Sequence, residues 1–266
     1  MRAAVLGSPI AHSLSPRLHR AAYVALGLDW TYDAVELSGG DLPAFLSGLG
    51  PEWAGLSLTM PLKQAVLPLL DAVDPLARAL GAANTVLLRE GQRAGYNTDV
   101  AGIANALREA GVVAASAAVV LGGGATARAA LAALLELGVR TPQVLVRVPD
   151  RAGPLLEVAA RLGVHPVIGR LEPAVLARPG HQVVVSTTPA GVLDALAGAL
   201  SLPPDPPTLL DVVYHPWPTR LAEVYDAAGG TVVAGTAMLL HQAAAQVELM
   251  TGRPAPLAAM SGALGD

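Results

Sequence analysis

A two-domain α/β fold is predicted by three observations on this chain of 266 residues. At a soft prior of roughly 150 residues per domain, the length suits two. Short apolar runs alternate with helix-like segments from end to end, the pattern of strands covered by helices. The run Ala118 to Arg128, AVVLGGGATAR, reads as a strand, a glycine turn and a helix in direct succession.

The first strand is Ala3–Leu6, and its apolar run is cut at Ser8 and Pro9, too early for a secretory signal. Ser13-Leu14-Ser15-Pro16 then opens a helix over Pro16–Leu26, with Ser15 expected at the N-cap and Pro16 in the first helical position. Strands follow at Thr31–Leu37 and Gly55–Thr59. Leu62–Leu70 has helical composition and carries Lys63 in its first turn. After a strand at Thr85–Arg89, Asn97-Thr98-Asp99 opens a helix over Val100–Ala110, for which Asp99 is a natural N-cap. In the second half, strands at Ala117–Leu121, Val144–Val148, Val183–Thr187, Leu209–Val213 and Thr231–Ala234 alternate with helices at Ala125–Leu137, Leu155–Leu162, Thr219–Ala228 and Met238–Met250. Several helices close on glycine, which adopts the left-handed conformation of a C-terminal cap at little cost. The segment Pro203 to Pro207 is a stiff loop inside a domain, because strand-like sequence resumes at once.

Composition excludes several functional classes. A formal net charge of −4 and scattered arginines give no basic stripe, so a nucleic-acid partner is not expected. Zero cysteines exclude disulfides, thiolate metal sites and a cysteine nucleophile, and fit a cytoplasmic protein. The 6 histidines show no metal-ligand spacing, so no metal is expected. Although 53% of residues are hydrophobic, the long uncharged stretch Ala110–Ala127 has 18 residues and is broken by Ser116 and Gly122-Gly123-Gly124. A membrane-spanning helix needs roughly 20 mainly apolar residues without such a break, so no membrane partner is expected.

Lys63 is the only lysine among 17 cationic side chains. A guanidinium stays protonated in a protein, whereas an ammonium is a compact donor that can release its proton. Its first-turn position sits near the positive end of a helix dipole, where a cation gains nothing structurally. A Tyr-x-x-x-Lys reductase motif would need tyrosine at position 59, which is threonine, and a Walker loop would need glycine at 62, which is leucine. The glycine turn suits a pyrophosphate, because glycines allow close backbone approach and the following helix offers free amides. At the end of the next strand, where an acidic residue would hold the ribose hydroxyl of NAD, stand Arg147 and Arg151, which suit the 2′-phosphate of NADP. His241 and Gln242 form a polar pair on an apolar helix, with His241 expected at the surface.

Taken together, the chain resembles the shikimate dehydrogenase family over essentially its whole length. The resemblance is carried by Ser13-Leu14-Ser15-Pro16, Leu58-Thr59-Met60-Pro61-Leu62-Lys63, Gly81-Ala82-Ala83-Asn84-Thr85 and Asn97-Thr98-Asp99. Further matches are the Gly122–Arg128 turn, Ser186-Thr187-Thr188-Pro189, Val213-Tyr214-His215-Pro216 and Met238 to Ala243. It implies an N-terminal α/β substrate-binding domain, residues 1–101, completed by a C-terminal helix returning as residues 237–266. A Rossmann-like NADP-binding domain would occupy residues 102–236. It implies reversible NADPH-dependent reduction of 3-dehydroshikimate to shikimate, by a monomer or homodimer. Carried over by position, Lys63 and Asp99 form the catalytic pair, Ser13, Ser15 and Tyr214 hold the substrate carboxylate, and Thr59, Asn84 and Gln242 bond the ring hydroxyls. Gly122, Gly124, Ala125, Arg147, Arg151, Thr187, Gly235 and Met238 serve NADP(H). The chain departs from the family pattern at Ser57 and Val146, where asparagine is usual, at Val100, where glycine is frequent, and at His215, which replaces an asparagine. Two rivals stay open: a quinate or dual quinate/shikimate dehydrogenase using NAD, and a non-catalytic paralogue that keeps the fold.

Overall fold

The structure, a computed structural model, describes residues 1–265. The chain forms two compact units, one of Met1–Gly102 with the residues from Leu239 onward, the other of Ile103–Met238.

The first unit is built on β1 (Arg2–Gly7), α1 (Ser15–Ala25), β2 (Thr31–Glu36), α2 (Leu42–Ser47), β3 (Trp53–Leu58), α3 (Leu62–Ala65), β4 (Ala72–Val73), α4 (Pro75–Leu80), β5 (Thr85–Arg89) and β6 (Gln92–Tyr96). Helix α5 (Asp99–Glu109) follows and carries the chain into the second unit. The sheet runs β2-β1-β3-β5-β6-β4, with β1 parallel to β2 and β3 but β5 antiparallel to β3 and β6. Successive residues of a strand face opposite ways, so Ala4 and Leu6 enter one core cluster and Ala3 and Val5 another. Strand β1 is therefore covered on both faces.

Several sequence expectations need correction here. Helix α3 ends at Ala65 and a 3-10 turn takes over at Leu67–Leu69, because Pro68 has no amide to donate to the preceding turn. With four residues, α3 has no dipole of consequence to act on Lys63, contrary to the sequence expectation. Helix α1 begins at Ser15 itself, with Leu14 at the cap position and no side-chain cap, while the Ser15 amide donates to Ser13 Oγ at 3.3 Å. Asp99 is the first helical residue and not the cap; Gly102 donates its amide to the Thr98 carbonyl, and the carboxylate is engaged elsewhere. Strand β6, too polar to read as one, is held by β5 through a two-residue turn in which Glu90 and Gly91 have φ of 52° and 76°. That is the left-handed pair a tight hairpin requires.

The second unit is a parallel sheet in the order β12-β11-β10-β7-β8-β9. Its elements are β7 (Ala118–Leu121), α6 (Ala125–Glu136), β8 (Gln143–Val146), α7 (Gly153–Leu162), β9 (Val167–Arg170), α8 (Pro173–Leu176), β10 (Val183–Ser186), α9 (Asp194–Gly198), β11 (Thr208–Asp211), α10 (Arg220–Ala227) and β12 (Val232–Val233). All four residues of β7 and of β10 are buried, as central strands of a parallel sheet must be. The chain winds outward from β7 through β8 and β9, then restarts on the other side at β10, so the winding direction switches between β7 and β10. Open α/β sheets bind ligands at the carboxyl ends of strands at such a switch.

Helix α11 (Gly235–Thr251) starts in the second unit and continues in the first, where Leu240, Ala243, Ala244 and Val247 pack with Leu18 and Ala22 of α1 and with Met260 of α12 (Leu257–Gly262). A Cβ at Gly235 would press on the backbone of Val212 and Val213, which cannot yield as a side chain could. Gly235→Ala is expected to destabilise the protein by about 1–3 kcal/mol. Denaturant unfolding should report this as a lower midpoint at unchanged slope.

Candidate active site

In the first unit the polar side chains gather along one edge of the sheet. The carboxyl ends of β1, β3 and β6 lie at this edge, together with the amino end of β5, because β5 runs against its neighbours. Ser13 lies on the connection leaving β1 and Ser15 opens α1, Thr59 and Lys63 follow β3, Asn84 precedes β5, and Asp99 follows β6. Gly7 keeps β1 close to this corner, since a Cβ there would meet the Thr59 methyl.

Lys63 Nζ donates to Asp99 Oδ2 at 2.6 Å, with the two side chains 15% and 5% exposed. Breaking such a pair leaves an uncompensated buried charge, so neither partner is dispensable. Asp99 also sits in the first turn of the 11-residue α5, where the dipole favours a carboxylate. Its other oxygen, Oδ1, accepts from Asn84 Nδ2 at 2.8 Å. Asn84 Nδ2 also reaches Thr98 Oγ1 at 2.9 Å and faces Gln242 Oε1 at 3.5 Å, while Asn84 Oδ1 accepts the Thr98 amide at 2.8 Å. An ammonium has three donors, and Lys63 commits one of them to protein among the described residues. The Thr59 hydroxyl, half-buried at the same corner, makes no hydrogen bond to protein among the described residues. The corner therefore offers a charged donor, a hydroxyl and the remaining N–H of Gln242, whose Nε2 also donates to the Leu239 carbonyl at 3.0 Å, to a ligand bearing oxygens.

Beneath it lies a buried polar chain that sequence reading did not find. Tyr32 donates to Ser57 Oγ at 2.6 Å, Ser57 donates to Gln246 Oε1 at 2.7 Å, and His19 Nε2 lies 3.2 Å from the same oxygen. Gln246 Nε2 donates to Thr85 Oγ1 at 3.0 Å and to the Asn84 carbonyl at 3.2 Å. Ser15 also bears on the Tyr32 phenol. Burial pushes the His19 imidazole down to about 3 against an ordinary 6.5, and pushes the Tyr32 and Tyr23 phenols well above their ordinary value. The available signal for Gln246 was its spacing: Gln242 and Gln246 are four apart on an apolar helix, hence on one face. Neither amide is solvated, at 8% and 1% exposure, while His241 is half-buried.

In the second unit, Gly122, Gly124 and Ala125 stand at the carboxyl end of β7, at the switch point. Gly122 has φ +110° and abuts Thr187, so a side chain there is excluded both by conformation and by space. Nothing approaches a Cβ built on Gly124, and no side chain caps the first amides of α6. The turn thus has the open cradle and free donors a diphosphate requires. Thr187 Oγ1 donates to the Leu121 carbonyl at 2.7 Å, which ties β10 to β7 beside the cradle. Arg147 and Arg151 are exposed beyond the end of β8, and neither forms an ion pair among the described residues. Val146 packs toward Gly123 and offers no polar group. Tyr214 and Met238 also belong to this unit, one half-buried after β11 and the other buried in α11. Gly235 has its own packing requirement, described above.

Residues 5–86 match the shikimate dehydrogenase substrate binding domain, and residues 235–264 match the shikimate 5′-dehydrogenase C-terminal domain. A shikimate dehydrogenase (NADP(+)) of Moorella thermoacetica is 39% identical over 97% of this chain and 90% of its own length. The crystal structure of Mycobacterium tuberculosis shikimate dehydrogenase is similar at TM-score 0.89 and 46% identity, covering 99% of this chain and 98% of that one. The Thermus thermophilus enzyme, solved in complex with NADP(H) and shikimate, is similar at TM-score 0.85 and 38% identity, covering 99% and 98%. A quinate dehydrogenase from Corynebacterium glutamicum, in complex with NAD, is similar at TM-score 0.87 and 31% identity, covering 99% and 98%.

His19 is neutral when folded but takes up a proton near its ordinary 6.5 when unfolded, so its contribution to stability is fully present above that pH. Stability is expected to fall as pH drops from about 6.5 toward 3, by on the order of a few kcal/mol from this residue. Unfolding curves of wild type and His19→Asn across that range would check it, because the difference between them should shrink as pH falls.

Proposed function

The chain belongs to the shikimate dehydrogenase family, and from that premise we propose that it catalyses the reversible, NADPH-dependent reduction of 3-dehydroshikimate to shikimate, a step toward chorismate and the aromatic amino acids. The observation that carries this reading is the buried Lys63–Asp99 pair at 2.6 Å, beside the free hydroxyl of Thr59 and the amide of Asn84. A non-catalytic paralogue has no need to keep a lone lysine and a carboxylate paired in a buried corner.

NADPH, when bound, supplies the hydride that reduces the C3 carbonyl. Gly122, Gly124 and Ala125 would hold its diphosphate, Arg147 and Arg151 its 2′-phosphate, and Thr187, Gly235 and Met238 would border it. Negative charge that builds on the C3 oxygen must be met by a proton or a cation. Lys63 Nζ has donors to spare for that oxygen, and a proton passed from Nζ completes the alcohol. Asp99 accepts from Lys63 and keeps the ammonium aimed, while its own fixed charge is held by Asn84. Asn84, Thr59 and Gln242 present groups for the ring hydroxyls. Ser13, Ser15 and Tyr214 would take the carboxylate. A cytoplasmic monomer or homodimer goes with this reading, and no helix among the described residues is long and apolar enough to cross a membrane.

The likeness to a quinate dehydrogenase with NAD motivates one second reading. Comparing kcat/KM for shikimate and quinate, each with NADP and NAD, separates the two. Shikimate with NADP is expected to lead, and a preference for quinate with NAD would sink the assignment. Lys63→Ala is expected to lower kcat by about two or more orders of magnitude with little change in KM for shikimate. Arg147→Ala should raise KM for NADP by about tenfold while leaving KM for NAD in place, since a charge-assisted contact to one phosphate is worth roughly 1.5–3 kcal/mol.

A further inference from the structure

Gln246 is buried to 1% exposure one helical turn beyond Gln242, and the reaction just described does not require it to touch substrate. We propose that Gln246 is a positioning residue: with Ser57 and Thr85 it sets which way the Asn84 carboxamide faces, and so holds the Asp99 carboxylate in place for Lys63.

The direction of each hydrogen bond follows from its neighbours. A carboxamide can be turned by 180° with almost no change in shape, so its orientation is decided by hydrogen bonding alone. The Tyr32 phenol remains protonated and donates to Ser57, which leaves the Ser57 hydrogen for Gln246 Oε1. The NH₂ of Gln246 then faces Thr85 Oγ1 and the Asn84 carbonyl. Thr85 accepts on that side, so its own hydrogen goes to Asn84 Oδ1 at 2.9 Å. With Oδ1 thus held, together with the Thr98 amide, Nδ2 must face Asp99. The reverse orientation would set two oxygens against each other beside a buried negative charge. Gln246 also anchors the Asn84 main chain, because its donor meets the carbonyl that already accepts the Leu58 amide at 2.8 Å. A single buried amide therefore ties helix α11 to the exit of β3 and the start of β5.

The inference rests on the activity assigned above. Its test measures kcat, KM for shikimate and KM for NADP in wild type, Gln246→Met, Gln246→Glu and Thr85→Val, across pH, with thermal melts alongside. Gln246→Met keeps the volume but neither donor nor acceptor; kcat should fall about tenfold, as for other residues that orient a reacting group. KM for shikimate should rise and KM for NADP should not. Glutamic acid at this position, while protonated, retains one donor and one acceptor, but ionised it can donate to neither Thr85 nor the Asn84 carbonyl. The kcat of Gln246→Glu relative to wild type should therefore recover at acid pH and fall as pH rises. The titratable groups facing this position are His19 from α1 and, through Ser57, Tyr32 from β2, and both stay uncharged over an assay range of about pH 5 to 9. Thr85→Val, nearly isosteric, should reproduce the loss even if a Gln246 variant fails to fold.

Gln246→Met or Thr85→Val with wild-type kcat and KM would overturn the proposal. So would a fall in kcat alone with a flat Gln246→Glu ratio, the sign of lost folded enzyme and not of a misplaced Asn84. A wild type that does not turn over shikimate defeats the functional assignment itself and this inference with it. Normal wild-type turnover with indifferent variants defeats only the inference.

Discussion

One buried ion pair organises the first unit. Taking an ammonium and a carboxylate out of water costs several kcal/mol each, and only close contact plus further hydrogen bonds offsets it. Lys63 and Asp99 meet at 2.6 Å, and Asn84 supplies the remaining support on the carboxylate. Three chain segments must converge for this to happen: the exit of β3, the entry to β5 and the start of α5. Their convergence is a property of the mixed sheet, in which the antiparallel β5 brings its amino end to the carboxyl ends of β3 and β6.

The polar chain behind the pair runs through the interior of the first unit. Ser57, Thr85, Asn84 and Gln246 are all within the buried core, yet each is matched in donor and acceptor to the next. A chain of this kind is costly if any member is unsatisfied and rigid when all are paired. His19 and Tyr32 close its far end by stacking at 4.0 Å between ring centroids. The consequence for chemistry is that the carboxylate cannot swing away from Lys63 without breaking bonds deep in the unit.

The second unit achieves its candidate site by different means. There the backbone supplies the groups: a left-handed glycine at Gly122, open space at Gly124 and an uncapped helix at Ala125. Charge comes from Arg147 and Arg151 on the loop after β8, outside the packed core, where a long side chain can adjust to a phosphate. The candidate groups of the first unit are thus set by buried side chains, and those of the second by main chain and surface arginines.

What the sequence by itself determined is everything governed by local chemistry. The glycine turn between strand and helix was legible because φ > 0 and close approach select glycine, and the α/β class because apolar periodicity reports strands and helices directly. The lone Lys63 was legible as a residue type out of keeping with its surroundings, whereas Asp99 read locally as a helix cap and was linked to Lys63 only by the family resemblance. What only the tertiary structure decided is partnership across the chain. The Glu90-Gly91 hairpin made a strand of the polar β6 segment, Pro68 cut a helix short, and Asp99 turned from capping its helix to hold Lys63, 36 positions away. Gln246, distant from Asn84 by 162 positions, reads as an ordinary polar residue on an apolar helix until folding buries it. The physical reason is that a hydrogen bond is specified by where two groups meet, and their meeting is set by sheet order and not by any local pattern.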